Sequence, residues 1–272
     1  MKRIIFIPTW KCNLSCDYCY YRVSRAEYPS AYQVSIYGHE RQVGPELAWQ
    51  DWLQHLGRLA PFHLEITGGE PLMYRDLGKI VDSLPGGCKW SITSNTLLTE
   101  AVMKMPSNGC ICWTASYHYG NDDRFAGNLD LLRKVGIQPC VTLVITPQNY
   151  DLALQKINWL SGMEYRLNVH PVQDITVPWK GHDDIWDKVQ QMQGANIVRE
   201  IPKDWRREGP ASCSGGKDYI CIHPDGQVLR CLSSSMSSGN IGHIKDFEPY
   251  KENRPCAGGC VFPCDKATRN GR

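Results

Sequence analysis

The sequence predicts an α/β fold, a partial (β/α)6 barrel of the TIM type, extended at its C-terminal end by a small cysteine-rich unit with a β-hairpin/helix character. Three observations carry this. Between residues 3 and about 171, six short β-rich runs alternate with amphipathic stretches at helical spacing, which implies a parallel sheet with right-handed crossovers. A closed eight-unit barrel typically uses about 250 residues by itself, so 272 residues with an appendage fit an open six-unit one better. The 13 cysteines are also clustered, with three at positions 12–19 and six between 213 and 264.

The strand candidates, in chain order, are Arg3–Pro8, His63–Thr67, Lys89–Thr93, Cys110–Ser116, Pro139–Ile145 and Tyr165–His170. Each has a β-branched or apolar centre of strand length. The clearest helix is 45–60, with Pro45 in its first turn and Trp49, Trp52, Leu53, Leu56 and Leu59 on one face. A second runs over about 122–135, with Phe125, Leu129, Leu132 and Val135 at helical spacing and Gly136 as its stop. Residues 73–84 and 151–161 read the same way. The stretch 21–44 is a hairpin, a lid or a long loop. Residues 174–210 are expected to link the barrel domain (1–210) to a second unit (211–272). That unit opens on a hairpin, Tyr219–His223 and Gln227–Cys231, around Pro224-Asp225-Gly226.

Thirty Lys+Arg against 28 Asp+Glu give a net charge of +2, so nothing electrostatic calls for a nucleic acid or a membrane surface. No apolar run approaches a membrane span. The Met1-Lys2-Arg3 start is too short in its apolar part for a signal peptide, so the expected location is the cytoplasm. An odd number of clustered cysteines there argues against a disulfide framework and for metal or redox chemistry. Cys88, Cys110, Cys112 and Cys140 stand outside the clusters and are expected to be buried as small apolar groups.

Directly after the first strand come Cys12, Cys16 and Cys19, spaced C-x3-C-x2-C. Three thiolates can hold three irons of a 4Fe–4S cube and leave the fourth iron open to a small molecule. The alternative is structural zinc, which wants four closed ligands and fits a lone trio poorly. After the second strand comes Gly68-Gly69-Glu70-Pro71. Paired glycines allow close backbone approach to a ligand, and Glu70 can accept hydrogen bonds from an ammonium group.

The trio and this turn, at this distance, resemble the radical S-adenosylmethionine (SAM) superfamily. The resemblance implies that Tyr18, the aromatic before the last cysteine, lies near the adenine, and that Gly68, Gly69, Glu70 and Pro71 meet the methionyl amine. It implies further cofactor contacts from Ser94 and Asn95 after the third strand, Ser116 and His118 after the fourth, and Thr142 and Val144 on the fifth. Ser94 and Asn95 read equally well as turn-forming and helix-capping residues, and His118 as a surface histidine. All lie at strand C-termini, where barrel enzymes build their sites.

Cys213, the hairpin, Gly226-x4-Cys231, Gly239-Asn240-Ile241 and then Cys256, Cys260 and Cys264 resemble the Twitch/SPASM extension of that superfamily. The resemblance implies one auxiliary 4Fe–4S cluster on Cys213, Cys231 and two of Cys256, Cys260 and Cys264, since two fully ligated cubes would need eight thiolates. Zinc on the same cysteines is the competing reading. Cys221 alternates within a strand and suits packing. The resemblance implies reductive cleavage of SAM to a 5′-deoxyadenosyl radical, fed by an electron donor such as flavodoxin or ferredoxin. The substrate expectation is a small polar metabolite of the sugar or amino-acid type. The first alternative is maturation of a ribosomal peptide, for which a leader-binding domain would have to be a separate protein. The second is a non-catalytic iron–sulfur or zinc scaffold.

Overall fold

The computed structural model describes residues 1–16, 18–19, 21–23, 32–36, 39–171, 195–197, 212–231 and 240–255. The chain opens with β1 (Lys2–Phe6), then three strands β2 (Tyr21–Val23), β3 (Tyr32–Ile36) and β4 (His39–Val43). Alternation of helix and strand follows: α1 (Trp49–Gly57), β5 (Phe62–Ile66), α2 (Leu77–Asp82), β6 (Lys89–Ser94), α3 (Thr99–Met103), β7 (Cys110–Tyr117), α4 (Asp122–Lys134), β8 (Pro139–Ile145), α5 (Tyr150–Ser161) and β9 (Arg166–Pro171). Beyond these lie β10 (Ala195–Ile197), β11 (Tyr219–Ile222), β12 (Gln227–Leu229) and β13 (Asn240–His243).

One ten-stranded sheet runs in the order β10-β9-β8-β7-β6-β5-β1-β11-β12-β13. From β10 to β11 every pairing is parallel, and β11, β12 and β13 then pair antiparallel. This is the expected partial barrel. β10 lies in the stretch expected to be a linker and adds an edge strand to it. β2, β3 and β4 form a separate antiparallel sheet, so the stretch 21–44 contains a β3–β4 hairpin.

The period of two along each strand decides which face is buried. Leu64 and Ile66, Trp90 and Ile92, Trp113 and Ala115, and Val141 and Leu143 are buried against helix residues Trp52, Leu56, Ile80, Phe125, Leu129 and Ile157. Phe6 meets Trp52 edge-on at 4.9 Å between centroids. Each such Leu, Ile, Val or Phe side chain contributes about 1.5–3 kcal/mol by leaving water. The alternate residues, among them Glu65, Ser91, Thr114, Ser116, Thr142 and Asn168, are partly exposed on the other face.

Several expectations shift. The first helix begins at Trp49, not near Pro45, because Gly44 N–H donates to Asp225 Oδ2 (3.1 Å) and Leu47 N–H to Pro224 O (2.9 Å). Those bonds hold 44–47 outside the helix, against the hairpin turn. Val135 is 46% exposed because the α4 helix ends at Lys134, one residue before it. Of the four scattered cysteines only Cys88 is buried; Cys110 and Cys140 are half-buried and Cys112 is exposed. Short α3 carried no clear period in the sequence. Cys256, Cys260 and Cys264 lie outside the described residues.

Candidate active site

The cysteine loop leaves the C-terminal end of β1 and is anchored at its root. Thr9, fully buried, donates its hydroxyl to Glu46 Oε1 (2.5 Å), and Lys11 pairs with Glu46 Oε2 (3.2 Å). Within the loop, Cys19 N–H donates to Cys16 O (3.1 Å) and Leu14 N–H to Cys12 Sγ (3.4 Å). Cys12 is exposed, and Cys16 and Cys19 are half-buried. The Cys12 residue is exposed as a whole, yet partial desolvation of its thiol pushes it up to about 11; the Leu14 N–H opposes this, and the nearby charges of Glu70, Cys19 and Cys16 add to it. A metal bound at Cys12 would therefore have to displace its proton.

The Gly-Gly-Glu-Pro turn packs directly on that root. Gly69 N–H donates to Thr9 O (3.2 Å) and Glu70 N–H to Lys11 O (2.7 Å). A Cβ on Gly69 would lie 2.3 Å from Lys11 O and 2.4 Å from Trp10 O, and Gly68 has φ +135°. The close approach these glycines allow is to the backbone that leads into the cysteines. Glu70 is 1% exposed. Its Oε1 accepts from Leu72 N–H (3.0 Å) and Ser94 Oγ–H (2.8 Å), and its Oε2 from Asn95 N–H (2.7 Å). Burial pushes its carboxyl up to about 7 against the pull of those donors. Pro71 is buried and starts the short turn that Glu70 caps.

Ser94 and Asn95, at the end of β6, are both buried. Asn95 Nδ2 donates to Asn13 Oδ1 (2.7 Å), so one side chain joins the β6 terminus to the loop between Cys12 and Cys16. Thr96 follows at φ 58°, uncommon for a β-branched residue. It is held by Asn128 Nδ2 donating to its carbonyl (2.7 Å) and Trp113 Nε1–H donating to its Oγ1 (3.1 Å).

On the next strand, His118 follows β7 and meets the cysteine loop. Its Nδ1 lies 3.2 Å from Cys16 Sγ and 3.0 Å from Tyr18 OH, and its ring is parallel to that of Tyr18 at 6.2 Å. Burial lowers the His118 pKa to about 4, which keeps the ring neutral. It also pushes the Tyr18 hydroxyl up, with Cys16 adding. Ser116 and Thr142 are direct neighbours across the β7–β8 pair. Val144 pairs with His170, and its carbonyl accepts from Tyr119 OH (3.2 Å). Asn13, Asn128, His170 and Tyr119 carried no sequence signal, because only tertiary distance defines their partners.

Cys213 and Cys231 are buried at the two ends of the hairpin segment, and Cys221 is fully buried within β11. Arg230 gathers the surrounding backbone: its Nε donates to Gly215 O (3.0 Å), Nη1 to Pro255 O (2.5 Å) and Nη2 to Arg254 O. Cys213 and Cys231 thus share a clamp with the segment running into Cys256.

Among the described residues, no three His, Cys, Asp or Glu side chains gather as for a single metal ion. A four-iron cube takes one iron per thiolate. Three soft thiols on one loop, mutually sensed by their charges and approached by a histidine nitrogen, suit that group.

The fold is shared with solved proteins that bind S-adenosylmethionine. No protein-family model matches the chain. The chain is 21% identical over 273 residues to the PqqA peptide cyclase of Rhizobium meliloti (strain 1021), covering 86% of this chain and 69% of that protein. It is also 21% identical over 268 residues to a probable GTP 3′,8-cyclase of Methanocella arvoryzae, covering 91% and 78%. Streptococcus suis SuiB superposes with a TM-score of 0.56 in its SAM-bound structure and 0.59 in that bound to the precursor peptide SuiA, at 17% and 16% identity. Those superpositions cover 90% of this chain, which spans 63% of the SuiB chain. Native anSMEcpe with bound AdoMet gives a TM-score of 0.61 at 13% identity, covering 92% of this chain and 80% of its own.

Proposed function

We propose that this chain uses SAM-derived radical chemistry to modify a peptide. A reduced four-iron cluster on Cys12, Cys16 and Cys19 would supply the electron that cleaves SAM to methionine and a 5′-deoxyadenosyl radical. The protein's own contribution is positional, since the cofactor carries the difficult chemistry. Gly68 to Pro71 would line the methionyl end and Tyr18 the adenine. Ser94, Asn95, Ser116, His118, Thr142 and Val144 would complete the cofactor's surroundings at the strand ends. Neutral side chains dominate this face, as suits abstraction of a hydrogen atom, which needs no acid/base pair.

The observation that carries the peptide reading is the company the fold keeps. SuiB is solved with a precursor peptide, anSMEcpe with the Cp18Cys peptide at a TM-score of 0.57, and PqqA peptide cyclase is a sequence relative. The GTP 3′,8-cyclase relative, matched over 91% of this chain, supports a small polar metabolite as the second reading.

For residues 211–272 we propose an auxiliary 4Fe–4S cluster on Cys213, Cys231 and two of Cys256, Cys260 and Cys264. The shared Arg230 clamp supports it. An external donor of the flavodoxin or ferredoxin type would reduce the enzyme. Among the described residues, no helix is long and apolar enough to cross a membrane.

The test is anaerobic reconstitution with iron and sulfide, followed by SAM and dithionite, with 5′-deoxyadenosine quantified against Cys16→Ala. Wild type should form it and the variant should not. A synthetic peptide library should raise the yield and gain a mass change, whereas stimulation by GTP or sugars alone would overturn the peptide reading. Cys213→Ser with Cys231→Ser should lower iron from about eight to about four per chain; unchanged iron would remove the auxiliary cluster.

A further inference from the structure

We propose that His118 is a positioning residue for the cluster, its Nδ1–H donating a hydrogen bond to the Cys16 sulfur and so making the cluster easier to reduce. This rests on the reading that Cys16 is a cluster ligand. His118 Nδ1 lies 3.2 Å from Cys16 Sγ, within the reach of an N–H···S bond. A sulfur bound to iron carries no proton, so any hydrogen in that contact must come from the imidazole. The ring is set in place from two sides. Its backbone follows β7, whose residues Trp113, Ala115 and Tyr117 are locked in the core, and its plane is parallel to the ring of Tyr18.

Hydrogen bonds to the sulfurs are among the determinants of an iron–sulfur cluster's potential. A donor aimed at a thiolate withdraws electron density and stabilises the reduced, more negative state. The competing arrangement uses the same geometry differently. Tyr18 OH, 3.0 Å from Nδ1, would donate to it, the ring proton would move to Nε2, and the sulfur would receive nothing from the histidine.

The experiment compares wild type, His118→Leu, His118→Asn and Tyr18→Phe in the full chain. Each is reconstituted with iron and sulfide, assayed for iron content, and titrated potentiometrically with the reduced cluster followed by electron paramagnetic resonance. His118→Leu should cut the reduced-to-oxidised ratio at a fixed potential about tenfold, equivalent to about 59 mV for one electron. His118→Asn places an amide N–H near the Nδ1 position and should restore most of the loss, while Tyr18→Phe, whose hydroxyl also contacts Cys16, should shift the potential by clearly less than His118→Leu. A loaded His118→Leu protein with the wild-type potential overturns the proposal. So does a shift in Tyr18→Phe as large as that in His118→Leu, which would make the phenol the donor. If wild type itself binds no cluster, the reading beneath the proposal falls instead, and the iron assay distinguishes that outcome.

Discussion

Glu70 accepts three hydrogen bonds while only 1% exposed, and these bonds tie the turn at Leu72 to the end of β6. Replacing it with Ala strands the Leu72 and Asn95 amides and the Ser94 hydroxyl in the interior, at a cost of about 3 kcal/mol or more. Glu70→Gln keeps one acceptor but turns an NH2 toward a donor, at about 2 kcal/mol. Urea unfolding should place wild type highest in stability, Glu70→Gln next and Glu70→Ala lowest. The motif around Glu70 was legible in the sequence, but the reason for its glycines was not. Their spacing invites a ligand, whereas a Cβ on Gly69 would strike the carbonyls of Trp10 and Lys11. Asn95, read as a capping or cofactor residue, reaches across 82 positions to Asn13. No local pattern encodes a bond of that span.

At the scale of elements, strands were the most legible feature, because alternating burial on a covered sheet leaves a period of two that survives in the sequence. The expected Pro139–Ile145 strand coincides with β8, and 122–135 with α4 to within a residue. The start of α1 was lost for a tertiary reason: Pro45 suits a helical first turn, yet Gly44 and Leu47 spend their amides on the Asp225 turn. Asp225 also accepts from Gln227 N–H (3.2 Å), so it serves the hairpin and the approach to α1 together. Asp225→Ala should destabilise the protein by about 1–2 kcal/mol, within the cost of losing hydrogen bonds of this kind. Hydrogen exchange should show the loss of protection concentrated at Gly44 and Leu47 as well as in the hairpin. Protection lost in the hairpin alone would contradict the coupling.

At the scale of the molecule, residues expected to form a separate C-terminal unit complete the barrel sheet. β11 lies against β1 as a parallel partner, with Arg3 opposite Tyr219 and Phe6 opposite Ile222. A chain cut after residue 211 would leave β1 unpaired along one side and Ile4 and Phe6 short of the core contacts of Ile220 and Ile222. Open apolar strand edges promote aggregation. Such a chain should be recovered mainly insoluble, while Cys213→Ser and Cys231→Ser, which leave the strand in place, should remain soluble; fractionation of the expressed proteins tests both.

The pairing of β1 with β11 also carries a consequence in time. During synthesis the strand that bears the cysteine loop emerges first, and its partner at Tyr219–Ile222 follows about 10–40 seconds later at ordinary elongation rates. Through that interval the first strand has one neighbour where the finished protein gives it two. Pairings so distant along the chain close slowly. The loop of Cys12, Cys16 and Cys19 therefore reaches its final seat only after Tyr219–Ile222 has been made, and the cluster proposed for it would be loaded late in folding rather than at its beginning.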